Sequence, residues 1–326
     1  MNKDTILAID IGGNKILIGE TDLNGEILNR IKQPSNISSQ RAAIEQLIDI
    51  IDEYMDNYVV GNIKAISIDT VGRVNSYDGI WYEIDPTNKE KINISEIIQS
   101  RFQLPCYVLN DLVAATVAEN LLGIGNATKN FIYLSIGTGI AGRAVTDGKI
   151  IFGKDYDAGE FGHMVVDSES NVKCICGRKG CVEPLASGLG MSNRAHELLE
   201  DYKTNLKVLP NERVSAKDLF DAYDLKDPLA LVVVNQSLQA TSNMVMNLVR
   251  IMNPQAIRFG GGVTTGGWYL EHLQKFLEPQ TMRFVKYGVK NSKLNPNLIT
   301  LKGCALFAIE KLNSKEQRIC QQSINY

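Results

Sequence analysis

The sequence predicts an α/β protein with a duplicated core in two lobes, and three observations support this fold class. Strand-like apolar segments occur in two groups of three, over residues 5–31 and 130–152. Glycine turns separate the strands within each group: Gly12-Gly13 and Asn24-Gly25 in the first, Gly137-Thr138-Gly139 and Asp147-Gly148 in the second. Segments with helical spacing of apolar residues follow each group. Two copies of one supersecondary unit predict two lobes with a cleft between them.

The first group of strands covers residues 5–10, 15–21 and 26–31, which predicts an antiparallel meander. The apolar residues Ile44, Leu47 and Ile51 then predict a helix, for which Ser38-Ser39 supplies a cap. The remaining predictions for this half are a strand over 64–69, a long irregular segment over 70–93, a short strand over 107–109 and a helix from Asn110 to about Leu122. Long irregular segments in compact domains are usually functional.

The second group of strands covers residues 130–136, 141–145 and 149–152. After it, the pattern predicts helices over about 188–200, 215–223 and 228–252, a strand over 256–259 that runs into Gly260-Gly261-Gly262, another helix, and a last helix from about Gly303. The chain therefore alternates strands and helices in both halves, as expected for an α/β protein.

Composition excludes several classes of function. The chain has 326 residues, of which 44% are apolar, and its 34 Lys and Arg against 37 Asp and Glu give a net charge of −3. Without a basic face, no nucleic-acid partner is expected. No apolar stretch approaches the roughly 20 residues of a membrane helix, and Asp10 interrupts the first apolar stretch too early for a signal peptide. We therefore expect a cytoplasmic protein without membrane contact.

The glycine turns favour a nucleoside triphosphate over a dinucleotide. Gly137–Gly142 matches G-x-G-x-x-G, but a strand follows it, whereas a dinucleotide-binding unit requires a helix at that point. No P-loop motif occurs either. In a turn between strands, glycine backbone N–H groups can approach phosphate oxygens closely. Asp10, beside the Gly12-Gly13 turn, adds a carboxylate suited to Mg²⁺, and Gly260–Gly262 supplies a third such turn.

The order of the motifs resembles the ROK family (repressor, open reading frame, kinase) of bacterial sugar kinases and regulators. The matching segments are Asp10-Ile-Gly-Gly-Asn-Lys15 and Gly137-Thr-Gly-Ile-Ala-Gly-Arg143 for phosphate, Asn253–Val263 for adenosine, Asn110-Asp111 for catalysis, and Gly159-Glu160-Phe-Gly-His163 with Cys174–Glu183 for sugar and zinc. The resemblance implies a two-lobed actin-like ATPase (ribonuclease H-like) fold with an interlobe cleft. Asn14 stands where the family usually has Thr, and Ala141 and Arg143 stand where it usually has glycine.

The resemblance also implies how the lobes, partners and cofactors are arranged. Residues 1–115 with 303–326 would form the smaller lobe, and residues 116–302 the larger lobe with the zinc loop and the adenosine motif. The cofactors would be ATP, Mg²⁺ and a structural Zn²⁺, and the protein would be a homodimer. The nucleotide would contact Asp10, Gly12, Gly13, Asn14, Lys15, Gly137, Thr138, Gly139, Gly260, Gly261 and Gly262.

Three cysteines within eight residues predict a metal centre. Cys174, Cys176 and Cys181, with His163, supply three thiolates and one imidazole, which is the Cys₃His set of a closed zinc site. Four protein ligands leave no open position on the metal, so the zinc would be structural. His163 could still offer its second ring nitrogen to a sugar.

The candidate catalytic residue is Asp111, because a kinase needs a carboxylate that orients the attacking hydroxyl and accepts its proton. Asn110 or Asp111 could equally cap the helix that follows them. By resemblance, Asn110, Glu160, His163 and Glu183 would hold the sugar hydroxyls, with charge-assisted hydrogen bonds to the carboxylates.

We therefore predict an ATP-dependent hexose kinase that phosphorylates the 6-hydroxyl of its sugar, with glucose as the first candidate. The alternatives are an N-acylhexosamine kinase, acting on N-acetylmannosamine or N-acetylglucosamine, and a sugar-binding protein without turnover. The regulators of the family carry a DNA-binding helix-turn-helix before the first phosphate motif. Only five residues precede the core of the first strand here, so a regulator is not expected.

Overall fold

The computed structural model describes residues 3–85 and 89–324, with side chains up to Ser314. The chain divides into two compact units, which we call unit 1 and unit 2. Unit 1 comprises Met1–Gly123, Phe152–Asp157 and Leu294–Tyr326, and unit 2 comprises Ile124–Ile151 and Ala158–Lys293.

The helices and strands are numbered here in chain order. Up to residue 123 they are β1 (Asp4–Ile11), β2 (Lys15–Asp22), β3 (Ile27–Pro34), α1 (Gln40–Asn57), β4 (Asn62–Thr70), β5 (Arg73–Asn75), β6 (Ile80–Glu83), β7 (Ile92–Asn93), α2 (Ile94–Phe102), β8 (Cys106–Asn110) and α3 (Asp111–Leu121). They continue as β9 (Phe131–Ile136), β10 (Ile140–Thr146), β11 (Lys149–Ile150), α4 (Val182–Ala186), α5 (Gly188–Glu197), α6 (Ala216–Asp224), α7 (Pro228–Met252), β12 (Ala256–Gly260), α8 (Trp268–Leu273), α9 (Pro279–Met282), β13 (Val289–Asn291) and α10 (Ile299–Ile324).

The core of unit 1 is a five-stranded sheet in the order β3-β2-β1-β4-β8, which we call sheet 1. β1, β2 and β3 pair antiparallel, whereas β4 and β8 run parallel to β1. Apolar residues of α1 and α2 bury one face of the sheet. On the other face, Leu301 and Ala305 of α10 pack against Ile6, Ala8 and Ala65. Buried apolar area of this kind is the main stabilising contribution to the unit.

Helix α10 also crosses α3 at very short range. A Cβ on Gly303 would lie 2.6 Å from the carbonyl carbon of Ala114 and 3.1 Å from the nitrogen of Ala118. Only a residue without a side chain allows the two backbones to approach so closely.

The core of unit 2 repeats the topology of sheet 1. Its sheet 2 has the order β11-β10-β9-β12-β13, in which β9, β10 and β11 pair antiparallel and β12 and β13 run parallel to β9. The 25-residue helix α7 begins at Pro228, is capped by Asp227, and buries Val233, Leu238 and Val245 in the core of this unit. The duplicated core that the glycine turns predicted is therefore confirmed.

The structure differs from the sequence-based expectations in several places. Residues 70–93, predicted to be irregular, contain the three-stranded sheet β5-β6-β7; residues 86–88 lie outside the described part of the chain. Helices α2 and α4 and strand β13 were missed, two helices (α8 and α9) follow Gly262 where one was predicted, and α10 begins at Ile299 rather than near Gly303. Helices α3 and α10 each belong wholly to unit 1, and the lobe boundaries at 115 and 303 stay predictions. Within the described ranges, no helix has both the length and the apolar character that crossing a bilayer requires.

Candidate active site

Two buried carboxyl groups lie side by side at the carboxyl edge of sheet 1. Asp10 of β1 and Asp69 of β4 are partners in parallel register. Thr300 of α10 donates a hydrogen bond of 2.8 Å from its hydroxyl to Oδ2 of Asp10. Burial raises the pKa of Asp10, although this hydrogen bond acts to lower it. Burial, together with the charges of Asp10 and Asp111, raises the pKa of the fully buried Asp69 well above its usual range.

The predicted phosphate turn of unit 1 follows directly on Asp10. Gly12 donates from its backbone nitrogen to the carbonyl of Lys15 over 2.9 Å, which closes a tight turn between β1 and β2. Gly13 and Asn14 are exposed at the tip of the turn. Burial raises the pKa of Asp10, and the positive charge of Lys15 offsets a small part of that rise. The turn can therefore present backbone N–H groups and one ammonium to an anion.

Of the two residues that could cap α3, Asn110 occupies the N-cap position. Its Oδ1 accepts from the nitrogens of Leu112 (3.0 Å) and Val113 (3.3 Å), and its Nδ2 donates to Gly72 O (2.8 Å). A sugar hydroxyl would have to share these amide atoms. Asp111 is the first residue of α3, where the helix dipole favours a carboxylate. Its Oδ1 accepts from the nitrogen of Leu112 over 2.7 Å.

In unit 2, the predicted second phosphate turn is linked to Glu183. The carboxylate Oε2 of Glu183 accepts a hydrogen bond of 2.8 Å from the nitrogen of Ile140, and a Cβ on Gly139 would lie 2.7 Å from that same oxygen. Gly188, at the start of α5, donates to Gly137 O over 2.8 Å. A Cβ on Gly137, by contrast, would have no atom of the described residues within 4 Å. Thr138 is exposed between the two glycines.

The Gly260–Gly262 turn lies at the same edge of sheet 2. Its strand β12 is parallel to β9, with Gly260 opposite Ser135. Gly261 has a positive φ of 87° and a Cβ there would collide with the backbone of Ile136, so glycine is required at this position. A Cβ on Gly262 would meet no described atom within 4 Å. Open space therefore lies beside Gly137 and Gly262, where backbone could approach a ligand.

The loop with Glu160 is attached to β10. Gly142 donates from its nitrogen to Gly159 O over 2.9 Å. Glu160 follows, with its side chain 43% exposed, and its Oε1 lies 3.9 Å from Nη1 of the buried Arg143. His163 ends the short 3₁₀ turn that begins at Phe161.

The predicted metal ligands converge in the next segment of unit 2. His163 Nδ1 lies 3.3 Å from Cys174 Sγ, and Cys176 Sγ lies 3.6 Å from Cys181 Sγ. The ligand atoms of His163, Cys174 and Cys176 all lie within 4.8 Å of one another. Zn–S bonds of about 2.3 Å in a tetrahedron require sulfur separations of this size. A hydrogen bond from the backbone of Arg178 lowers the pKa of Cys176 to about 6, whereas burial raises the pKa of Cys174 and of Cys181. The donor set fits Zn²⁺.

Each unit thus gathers its own set of predicted residues. Unit 1 brings Asp10, the Gly12–Lys15 turn and the Asn110-Asp111 pair to one edge of sheet 1, because β1, β4 and β8 are parallel neighbours. Unit 2 holds the other predicted residues: Gly137, Thr138, Gly139, Glu160, His163, Cys174, Cys176, Cys181, Glu183, Gly260, Gly261 and Gly262.

Three polar residues that contact or neighbour these side chains were not predicted as site residues. Asp69 could have been noticed as a carboxylate that ends a buried strand, as Asp10 does. Thr300 gives no local signal, because it lies 290 residues from the carboxylate it contacts. Arg143 stood out only as a departure from the glycine usual at its position, and the sequence does not show that it lies beside Glu160.

Two sheets of identical strand order, each with glycine turns at its carboxyl edge, define the actin-like ATPase class of folds. The ROK family model matches residues 6–297, and the chain belongs to the ROK family.

Relatives with assigned names and solved structures agree with this assignment. The chain is 28% identical over 289 residues to a glucokinase of Halalkalibacterium halodurans, covering 87% of this chain and 86% of that protein. It is 29% identical over 281 residues to an N-acetylmannosamine kinase of Salmonella typhi, covering 85% and 90%.

Two solved structures show the same fold. A ROK family transcriptional regulator, a homologue of the E. coli MLC protein, superposes with a TM-score of 0.80 at 24% identity, over 94% of this chain and 78% of the regulator. A ROK family glucokinase from Streptomyces griseus, in complex with glucose and AMPPNP, superposes with a TM-score of 0.69 at 23% identity, over 92% and 98%.

Proposed function

We propose that this ROK family protein is an ATP-dependent hexokinase that transfers the γ-phosphate to the 6-hydroxyl of a hexose, with glucose as the first candidate. The observation that carries the proposal is the shared edge of sheet 1, where the carboxylate of Asp111 and the turn after Asp10 follow parallel strands. A sugar kinase needs these two features near each other, a base for the hydroxyl and a phosphate turn. The glucokinase and N-acetylmannosamine kinase relatives support the general activity, that of an ATP-dependent sugar kinase.

The residues of unit 1 would perform the proton transfer. Asp111 would accept the proton of the sugar hydroxyl while the hydroxyl oxygen bonds to the γ-phosphorus and the bond from that phosphorus to the bridging oxygen of ADP breaks. Lys15 and the backbone N–H group of Gly13 would offset the charge on the phosphates. The N–H group of Gly12 instead closes the turn by its hydrogen bond to Lys15 O. Asp10 is the carboxylate that would hold Mg²⁺, which when bound neutralises phosphate charge.

The residues of unit 2 would bind both substrates. The carboxylates of Glu160 and Glu183 would accept hydrogen bonds from ring hydroxyls. The second ring nitrogen of His163 would accept a hydrogen bond from a hydroxyl or donate one to it. One oxygen of Glu183 is already occupied by the nitrogen of Ile140, which leaves the other carboxylate oxygen for a hydroxyl. Backbone at Gly137 and Gly262 would approach the nucleotide, because open space lies beside both residues. Zn²⁺ bound by His163 and the three cysteines would be structural.

The second candidate is an N-acylhexosamine kinase, which the relatives named N-acetylmannosamine kinase favour. A sugar-binding protein without turnover is the third candidate, because Asn14 and Arg143 depart from the phosphate motifs of the family. The homodimer and the cytoplasmic location stay predictions.

The experiment that tests the proposal is an ADP-release assay with the purified protein, MgATP and a panel of glucose, mannose, N-acetylmannosamine and N-acetylglucosamine. We expect turnover with glucose well above the rate without sugar. A preference for an N-acyl sugar would support the second candidate. Calorimetric binding of a sugar without ADP release would support the third, and would contradict the proposal.

A further inference from the structure

Arg143 occupies an unusual place in unit 2. It lies within β10, opposite Tyr133 of β9, and its side chain is only 4% exposed. Burying a guanidinium is unfavourable unless acceptors surround it, because the group cannot lose its charge. The acceptors that Arg143 contacts therefore indicate what this side chain does.

Arg143 contacts its own strand and lies beside the loop that carries Glu160. Its Nη1 donates to Gly142 O over 2.9 Å and lies 3.9 Å from Oε1 of Glu160. The nitrogen of Gly142 binds Gly159 O, so this loop is held directly over the guanidinium. Gly159 has a φ of 111°, and a Cβ there would collide with Gly142 O and with Nη1 of Arg143. Only glycine at position 159 therefore lets the loop approach the guanidinium of Arg143 so closely.

The arrangement restricts the orientation of the Glu160 carboxylate. With 43% of its side chain exposed, Glu160 also has conformations available in which the carboxylate faces water. A fixed positive charge beneath the loop favours the conformation in which Oε1 faces Arg143. The other carboxylate oxygen is then presented in a defined direction, which lowers the entropy lost when a ligand hydroxyl binds.

Distance along the strand separates Arg143 from the phosphate turn. Arg143 lies three residues beyond Ile140, at the end of the Gly137–Gly139 turn, which corresponds to about 10 Å along a strand. The ion pair of Arg143 is with Glu160.

We infer that Arg143 is a positioning residue for the sugar: it orients Glu160 and thereby sets sugar affinity, although it lies in a segment that resembles a phosphate motif. This inference rests on the proposed function, in which Glu160 binds a ring hydroxyl. Under this inference, Arg143 affects the affinity for the sugar and not the affinity for the nucleotide.

The test compares Arg143→Met and Arg143→Lys with a matched control, Arg194→Met. Arg194 of α5 also pairs a largely buried guanidinium with an exposed glutamate, Glu197, but lies outside every predicted motif. For Arg143→Met we expect the KM and the calorimetric Kd for the sugar to rise about 10- to 100-fold, with the KM for ATP within twofold. Lysine keeps the charge but has a single ammonium for both acceptors, so we expect a rise of at least threefold. The control should keep both KM values.

A double variant tests whether Arg143 acts through Glu160. If it does, Glu160→Gln combined with Arg143→Met binds sugar no more weakly than Glu160→Gln alone. The inference is overturned if the two effects multiply, if a folded Arg143→Met keeps the parental sugar affinity, or if its KM for ATP rises as much as that for sugar. Should the methionine variant fail to fold, Arg143→Lys decides, and an unchanged sugar KM in it overturns the inference.

The two proposals fail in different ways. A parent protein that binds sugar but releases no ADP would contradict the proposed function alone, and the sugar Kd of the variants would still decide the role of Arg143. A parent with full turnover, combined with an Arg143→Met variant whose sugar affinity is unchanged, would contradict the inference alone. A parent that neither binds nor phosphorylates any sugar would contradict both.

Discussion

Asp111 has a helix position that suits a base which must remain charged. It begins α3, with Asn110 capping the helix, so replacing its carboxylate with an amide leaves the N-cap in place. We expect Asp111→Asn to keep the fold and the sugar Kd but to lower kcat at least 10²-fold, because general base catalysis contributes at least that much.

Asp218, which lies in the first turn of α6, provides the control for this substitution. Asp218→Asn removes the same charge from the same kind of position and should leave kcat unchanged. Near-normal turnover in Asp111→Asn would show that Asp111 only supports the helix end.

Asp69 makes stability depend on pH. Its pKa is raised in the folded state by burial and by the charges of Asp10 and Asp111, whereas the unfolded chain ionises it at its ordinary value. Its contribution to stability is therefore greatest below the unfolded pKa and is lost as pH rises toward the folded pKa. The loss is up to about 1.4 kcal/mol per pH unit while the folded group stays protonated.

We therefore expect Asp69→Asn to be more stable than the parent at pH 8, with a smaller difference at pH 5, as measured by urea unfolding. Asparagine has the same shape and no charge to bury. Asp49→Asn, on the exposed face of α1, should retain the parental pH dependence. Equal differences at both pH values would show that Asp69 is ionised in the folded protein.

At the scale of elements, the same glycine-to-alanine substitution should affect stability in a helix crossing and ATP binding in a strand turn. Gly303→Ala places a methyl group against the backbone of Ala114 where α10 crosses α3. We expect a loss of about 3 kcal/mol in the free energy of unfolding, or failure to fold, because overpacking at a backbone contact cannot relax through a rotamer change.

Gly137→Ala adds the same methyl group where no described atom lies within 4 Å, so stability should stay within about 0.5 kcal/mol of the parent. The KM for ATP should nevertheless rise, since the methyl group would occupy the space proposed for phosphate, while the KM for sugar should change little. An unchanged KM for ATP would contradict the role of this turn. Gly261 is unsuitable for such a test, because a Cβ there collides with Ile136 before any ligand binds.

At the scale of the whole molecule, removing the metal should affect unit 2 and spare unit 1. Cys176→Ser should lower zinc content, measured by mass spectrometry, and weaken sugar binding about 10- to 100-fold. Glu183 lies two residues after Cys181, and His163 is proposed both as a ligand and as a sugar contact. Hydrogen exchange should increase around residues 160–183 but not in sheet 1.

The exposed neighbour Ile175, with 77% of its surface accessible, supplies the control. Ile175→Ser changes the same loop without removing a ligand, so it should retain both zinc and sugar affinity. If zinc-free Cys176→Ser binds sugar as tightly as the parent, the metal only stabilises the loop and has no effect on sugar binding.

The sequence predicted those features that depend on local patterns, and missed those that depend on contacts between distant segments. The meander strands, the Ser39 cap of α1 and the long helix α7 have periodic or capping signals, and the structure contains all three. Strands β5, β6 and β7 have four residues or fewer among Gly, Asn and Asp, a composition typical of loops. The Asp10–Asp69 neighbourhood depends on which strands pair, and the Arg143–Glu160 pair depends on how a loop folds back over β10.

The division of unit 1 along the chain has a consequence for biosynthesis. The strands of sheet 1 lie within residues 4–110, but the helix residues that cover Ile6, Ala8 and Ala65 come from α10, after the whole of unit 2. At 5–20 residues per second, on the order of ten seconds or more pass on the ribosome before those residues emerge. During that interval the strands of sheet 1 have been synthesised, but one apolar face of the sheet has no helix to cover it. We expect the nascent chain to need a chaperone most at this stage.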